Sequence, residues 1–439
     1  MSNPLPSSLR SSSLTFVLLA GAICALAALP AFAASQARIV RLSDVQGSVQ
    51  IDKNTGLGFE NAFLNLPITQ GTQLRTGENG RAEVEFEDGG AMRLAPNTAV
   101  EFSTLGLDDS GKRISQVSLV EGMAYVNWRG KDKDQFTLNF LHETVTLERP
   151  AHFRADTSAT CAHLAVFKDE VAVEGPAGKV TVAKNKTATF DASDDDKSKM
   201  ADGIVEAALD SWDRNAISYY DQYARNNSFP YGYGMSDLYY YGSFTGVPGY
   251  GMLWQPYFTG VGWDPFMDGA WGWYPGFGYM FASAYPWGWL PYHYGNWIYV
   301  PSNGWMWQPG SWNSWRTVPS YTPTALVHVN PIVAPVTSTT KTVVVGKGGT
   351  VSALLPARMV VDHGSASLGI PRGSLENLSH LNRQVSKSGS VEVYSAPQFA
   401  ATSGRGFTLG EPSGPEPLSA ASAGHSSSSS SAHSGGSHH

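Results

Sequence analysis

82-AEVEFEDGGAMRL-94 alternates apolar and charged residues around a turn. Successive side chains of an extended strand face opposite ways, so Val84 and Phe86 point to one side and Glu83, Glu85 and Glu87 to the other. Asp88, Gly89 and Gly90 supply a tight turn that returns the chain through Met92 and Leu94. The stretch predicts a half-buried hairpin with its carboxylates on the outer face. The same period-two pattern runs from Arg38 to about Phe190, in "ISQVSLVEGMAYVNW", "HLAVFKDEVAVEG" and "KVTVAKNKTATF". A stack of antiparallel strands is expected there.

Composition agrees with a mainly β chain. Of 439 residues, 42% are hydrophobic, enough to fill real cores, and only 15% are charged, against roughly 25% in ordinary globular proteins. Glycine (46) and proline (26) favour many turns over long surface helices. The N-terminus runs apolar from Leu14 to Leu29 and then reads "LPAFAAS", which predicts a signal peptide over 1–33 cleaved after Ala33. An uncleaved anchor is the competing reading, but Pro30 and the Ala31-x-Ala33 pair favour cleavage. No later run is long enough to span a bilayer, so the mature chain is expected in the periplasm or outside the cell. Cleavage removes Cys24 and leaves Cys161, which excludes an internal disulfide. It also leaves 29 bases against 37 acids, a net charge of -8 unsuited to nucleic acid.

Residues 38–192 resemble a FecR-type domain. The likeness lies in Val45-x-Gly47-Ser48-Val49, in "PITQGTQLRTGENGRAEVEFEDGGAMRLAPNTAVEF" (67–102), and in Gly122 with "AYV" followed by "VAVEG". Within it, Thr76-Gly77, Arg81-Ala82-Glu83, Asp88-Gly89 and Leu94 carry the motif. The resemblance implies an antiparallel β module in the periplasm that relays a signal from an outer-membrane transporter to an anti-sigma segment. No stretch before the signal segment is long enough to fold in the cytoplasm, so the expected role narrows to contact with other envelope proteins.

No HExxH, GxSxG or P-loop occurs, and neither a catalytic residue nor a cofactor is assigned. His142, His152, Cys161 and His163 fall close enough in sequence to raise an N/S metal site, but their spacings match no standard ligand pair, so no metal is assigned. "DKNTG" and "LDDSGK" read as hairpin turns rather than calcium loops. Beyond an acidic linker at 191–203, Ile204, Val205, Ala208, Leu209 and Trp212 predict one amphipathic linking helix within 200–225, starting near Asp202.

The second half repeats. "GWDPFMDGAWGWYPGFGYMF" (262–281) aligns with "GWLPYHYGNWIYVPSNGWMW" (288–307) at an offset of 26, and "GSFTGVPGYGMLW" (242–254) fits at an offset of 27. Three hairpins turning at Pro-x-x-Gly are expected over 229–316. Alternation places Trp271 and Trp273, and Trp297, Tyr299, Trp305 and Trp307, on equivalent faces. With Trp263, Trp289, Asp264 and Asp268 they form the candidate ligand face. The rings are either the core of this domain or a surface on which sugar rings stack. Residues 226–315 hold no Lys or Arg, which argues against nucleic acid. The region resembles the tryptophan- and tyrosine-rich segment of uncharacterised function that often follows FecR domains. Residues 317–439 are rich in Ser, Thr, Pro and Gly and are expected to be low-complexity and mostly disordered, with a short strand at 342–345. The whole reads as an exported, non-catalytic envelope protein that binds an envelope protein, or alternatively a cell-surface polysaccharide or peptidoglycan through the aromatic hairpins.

Overall fold

A computed structural model describes residues 38–130, 134–223, 229–260, 262–322, 332–336, 342–345 and 359–394. The expected signal peptide and the Ser- and His-rich C-terminus lie outside the described residues. The chain is mainly β, as its alternation and glycine content require.

Two antiparallel-rich sheets share one long strand, Arg113–Trp128. Its first half pairs with Ala99–Leu107 and, in parallel, with Asp134–Phe140. Its second half pairs with Ala91–Leu94 and Ala151–Thr157 in the other sheet. Gly122 marks the change of sheet. Its φ is +87°, and a methyl there would lie 2.6 Å from Thr98 Cα, so only glycine turns this corner without strain. Between the sheets lies a core of Val40, Leu42, Ile51, Leu74, Val84, Phe86, Leu119, Phe136, Leu138 and Phe153, all 1–2% exposed or less.

Val84 and Phe86 face that core as the alternation requires, but the opposite face is covered. Glu83, Glu85 and Glu87 are buried, and Arg81–Glu85 is enclosed on both sides. The half-buried hairpin is therefore corrected to one sealed on its second face by the rest of the chain.

Two boundaries also move. Lys197–Asp202, inside the expected acidic linker, is a strand paired with Lys186–Asp191, so the β module extends to residue 202. Asp195 and Asp196 take φ of +53° and +55° in the connecting turn, a conformation short polar side chains tolerate. The linking helix, α1, spans Asp210–Tyr223 rather than starting near Asp202. The Ala207 N–H donates to the Asp210 carboxylate at 3.0 Å, and Val205 ahead of it is exposed.

The second lobe holds α2 (Met235–Tyr241), α3 (Leu290–His293) and the aromatic hairpins. Residues 359–394 belong to it as well. A hairpin of Met359–Asp362 with Ser390–Val393 frames α4 (Leu378–Ser388), and Val361, Ile370, Leu375, Leu378 and Val385 join the aromatic core. This part of the tail is thus folded, contrary to expectation, because its sparse apolar residues find partners only in the tryptophan lobe. Among the described residues no helix is long and apolar enough to cross a membrane.

Candidate functional site

The three hairpins pair Gly242–Val247 with Gly251–Pro256, Gly269–Tyr274 with Gly278–Ser283, and Asn296–Val300 with Gly304–Gln308. Their strands fall at the offsets read from the sequence. Each turn is closed by a backbone bond across four residues: Tyr250 to Val247 (3.0 Å), Phe277 to Tyr274 (3.2 Å) and Asn303 to Val300 (3.0 Å). Proline stands second in each turn, and the third residue (Gly249, Gly276 or Ser302) has positive φ. A further equivalence lies at the hairpin mouths. A methyl at Gly242 would lie 2.5 Å from the Trp254 ring, at Gly269 2.4 Å from the Phe281 ring, and at Gly295 2.6 Å from the Trp307 indole nitrogen. In every copy a glycine at the mouth of the hairpin makes room for a ring on the second strand.

Those rings are interior. Trp263, Trp271, Trp289, Trp297, Trp305 and Trp307 are all buried, with Trp289, Trp297 and Trp307 fully so. Trp263, Trp297 and Trp305 pack edge-on with Tyr285, Phe266 or one another, as in Trp263 against Trp297 with centroids 5.8 Å apart, and Trp271, Trp289 and Trp307 meet Phe281, Tyr233 and Trp312 in the same way. Trp273 and Tyr299 are half-buried. Asp264 accepts from the Phe266 N–H at 2.9 Å, and Asp268 accepts from the Tyr285 hydroxyl at 3.1 Å, which in turn accepts from the Trp263 indole at 3.0 Å. Partial burial raises both carboxyls above their usual range. An exposed sugar platform built from these ten residues is therefore not what the chain forms: most are the core. About ninety residues could not enclose so many rings alone, but the β module and residues 359–394 cover them.

The seam between lobes holds the residues that sequence reasoning missed. On the outer face of the second sheet, Arg41 lies opposite Glu85 and Glu83 opposite Arg93 in the strand register. Asp210 and Asp213, one turn apart on α1, lie against the same face. Asp213 accepts from Arg93 (2.8 Å) and contacts His152 (2.7 Å), and Asp210 accepts from Arg154 (2.6 Å) and the Tyr125 hydroxyl (2.9 Å). Asp237 of α2 accepts from Arg41 (2.6 Å) and from the Tyr219 hydroxyl (2.8 Å). Arg372, from the folded tail, closes the seam. It donates to Glu83 (2.6 Å), Asp237 (2.9 Å), the Ser43 carbonyl (2.6 Å) and the Tyr220 hydroxyl (3.0 Å).

Burial and charge pull these groups apart. Burial pushes Glu85 up to about 7 against the opposing pull of Arg41, and one of its oxygens has no hydrogen-bond partner. Glu83 is equally buried, but Arg93, Arg372 and the hydroxyls of Tyr220 and Ser43 hold it down at about 2. Asp44, beside them, is raised to about 6 by burial. The alternating charges of Glu83, Glu85 and Arg93 were the available signal, but nothing in the sequence named their partners. The N/S cluster considered from sequence disperses: Cys161 Sγ is 3.9 Å from His163, while His142 pairs with Asp196 and His152 with Asp213. A cleft of about 470 Å³ separates the lobes where the Pro275–Phe277 turn meets Lys53, Asn54, Thr69, Gln70 and Thr104.

Residues 72–172 match the FecR protein family. The chain carries a FecR domain. In the structure this domain extends past the match on both sides, from the Val40–Gln46 strand to Lys197–Asp202. Residues 235–332 match a family of unknown function, DUF6600, which spans α2 and all three hairpins. Two crystal structures of a candidate anti-sigma factor from Parabacteroides distasonis share 17% and 15% identity with the chain, each at a TM-score of 0.27. They cover 32% and 34% of this chain, which spans 63% and 64% of theirs, less than two thirds. No curated protein matches the chain.

Proposed function

We propose that this FecR-domain protein is exported and acts without catalysis, by contact with another protein of the bacterial envelope in a signalling or regulatory role. The observation that carries the reading is the seam. A FecR sheet is fixed to the aromatic lobe through the buried ion pairs Arg41–Asp237 and Arg372–Glu83, and the indoles that would otherwise offer a sugar-binding face form that lobe's core. Such an arrangement presents a stiff, two-lobed surface suited to protein recognition. The apolar run from Leu14 to Leu29 and the Ala31-x-Ala33 site support export.

The test is photo-cross-linking in cells from Val120 and Met200, two exposed apolar residues of the FecR module. A discrete protein adduct in the envelope fraction is expected. Absence of any adduct, together with saturable retention of the full chain on insoluble peptidoglycan, would replace this reading with a wall-binding one.

A further inference from the structure

The three hairpins are equivalent, but their outer edges are not. Along the second, Gly269–Tyr274 is paired on its outer side by Thr342–Val345, antiparallel, with Trp271 opposite Val343. Along the third, Asn296–Val300 is paired by Tyr321–Thr322, and the Trp297 N–H donates to the Ser320 carbonyl at 2.9 Å. Phe244, Trp271 and Trp297 occupy the same repeat position. Yet the first hairpin's strand, Gly242–Val247, pairs with Gly251–Pro256 on its inner side and, among the described residues, with no strand on the other.

The free groups can be named. Tyr250 N–H to the Val247 carbonyl at one end, and Tyr257 N–H to the Tyr241 carbonyl at the other, put the odd-numbered residues on the inner ladder. Antiparallel alternation then turns the N–H and C=O of Phe244 and Gly246 outward. The sister position Trp297 directs its N–H the same way, and there it is satisfied. Soluble proteins usually blunt such an edge with lysine, proline, a bulge or an inward charge. Gly242–Val247 has none of these: its register is unbroken, it carries no charge, and Ser243, Thr245 and Gly246 are exposed.

We propose that the outer edge of Gly242–Val247 takes up an extended, uncharged, β-branched strand of a partner protein. The strand adds antiparallel, in the register that Thr342–Val345 holds on the second hairpin. The chemistry follows from the sister edges, whose occupants are Thr-Val-Val-Val and Tyr-Thr, and from a lobe that offers no Lys or Arg between 226 and 315 to attract an acidic segment. The inference rests on the protein-contact reading above and names its site and kind of partner.

The test titrates the full chain with the synthetic peptide Ser-Thr-Thr-Lys-Thr-Val-Val-Val-Gly-Lys, the sequence of residues 338–347, in which the two lysines flank the uncharged pairing stretch Thr-Val-Val-Val and keep the peptide soluble, and follows amide hydrogen exchange. Saturable binding is expected, with exchange across 242–247 slowed by about tenfold or more at saturation. Gly246→Pro removes one outward N–H while sparing the inner ladder, and it is expected to weaken the peptide by about tenfold. Thr245→Lys adds an edge charge without touching the backbone and carries the same expectation should the proline variant lose its near-UV circular dichroism. Unchanged exchange at 242–247, slowing confined to the second hairpin, or full affinity in the folded variants would overturn the proposal. So would protection of 242–247 that grows with protein concentration in the absence of peptide, which would make a second copy the occupant. Loss of this proposal alongside discrete adducts from Val120 leaves the protein-contact reading standing, whereas absent adducts with intact peptide binding counts against that reading alone.

Discussion

Glu83 and Glu85 stand two residues apart on one strand and face the same seam, yet they respond to acid in opposite directions. Glu85, pushed up to about 7 by burial, binds its proton more tightly folded than unfolded. Its contribution to stability is present in full below about 4.5 and is lost as pH rises through about 7. Glu83 is held at about 2, so its contribution is present above about 4.5 and is lost as pH falls through about 2. Between about 4.5 and 7 stability should fall with rising pH, by an amount on the order of 3 kcal/mol for Glu85. Glu85→Gln is expected to flatten that slope and to raise the denaturation midpoint above pH 7; an unchanged urea-denaturation profile from pH 4.5 to 8 would refute the assignment. Arg372→Ala removes one cationic partner from each of two buried carboxylates, Glu83 and Asp237, and is expected to cost about 3 kcal/mol in urea titrations. Arg372→Lys should restore little of this, since a single ammonium cannot reach Glu83, Asp237 and the Ser43 carbonyl in the fixed fork geometry of a guanidinium. A loss under about 1 kcal/mol for Arg372→Ala would mean that the seam is slack. None of these partnerships was legible in the sequence, because Arg41, Asp213, Asp237 and Arg372 lie far apart along the chain and are brought together only when the lobes dock.

At the scale of the element, the hairpin repeat was the most legible feature, since its offsets and Pro-x-x-Gly turns follow from local chemistry that no distant contact alters. What alternation could not decide was which face meets solvent. Trp297 and Trp307 alternate with Ile298 and Met306, and both faces are apolar. The mouth glycines offer a direct test of the repeated packing. Gly295 has φ +65°, and a methyl there would crowd the Trp307 indole at 2.6 Å, whereas a methyl at Gly262 would meet nothing within 4 Å. Gly295→Ala is expected to lose about 2–4 kcal/mol, combining left-handed backbone strain with overpacking, and Gly262→Ala to lie within about 0.5 kcal/mol of the parent. Equal thermal midpoints for the two variants would show that the third hairpin tolerates the added methyl by shifting. The signal for α1 was legible in kind but not in place. Of the five apolar residues that suggested it only Trp212 lies in the helix, which starts at Asp210, eight residues later than expected, with the Asp210 carboxylate accepting from Ala207, and which buries Asp210, Asp213, Tyr219 and Tyr220 instead.

For the molecule as a whole, the FecR module and the aromatic lobe differ in what they report. Eleven of the thirteen tryptophans fall between Trp254 and Trp315, so tryptophan emission follows the aromatic lobe, while far-ultraviolet circular dichroism is weighted toward the strands of the two FecR sheets. If the lobes were joined only by a tether, the two signals would move independently. They share instead a seam in which Arg41 binds both Glu85 of its own sheet and Asp237 of α2, and Arg372 reaches from residues 359–394 back to Glu83. Opening it would leave charges unpaired on both sides, at a cost comparable with the stability of either lobe. Urea unfolding of the full chain is therefore expected to show one midpoint by both signals. In the native state, acrylamide should quench only a minor part of the emission, because nine of the thirteen indoles are buried. Arg372→Ala should then separate the two midpoints, with tryptophan emission changing first, because the aromatic lobe loses the link that also holds its own folded tail. Two separate midpoints already in the parent chain would instead make the seam a contact of convenience and leave each lobe to recognise its partner alone.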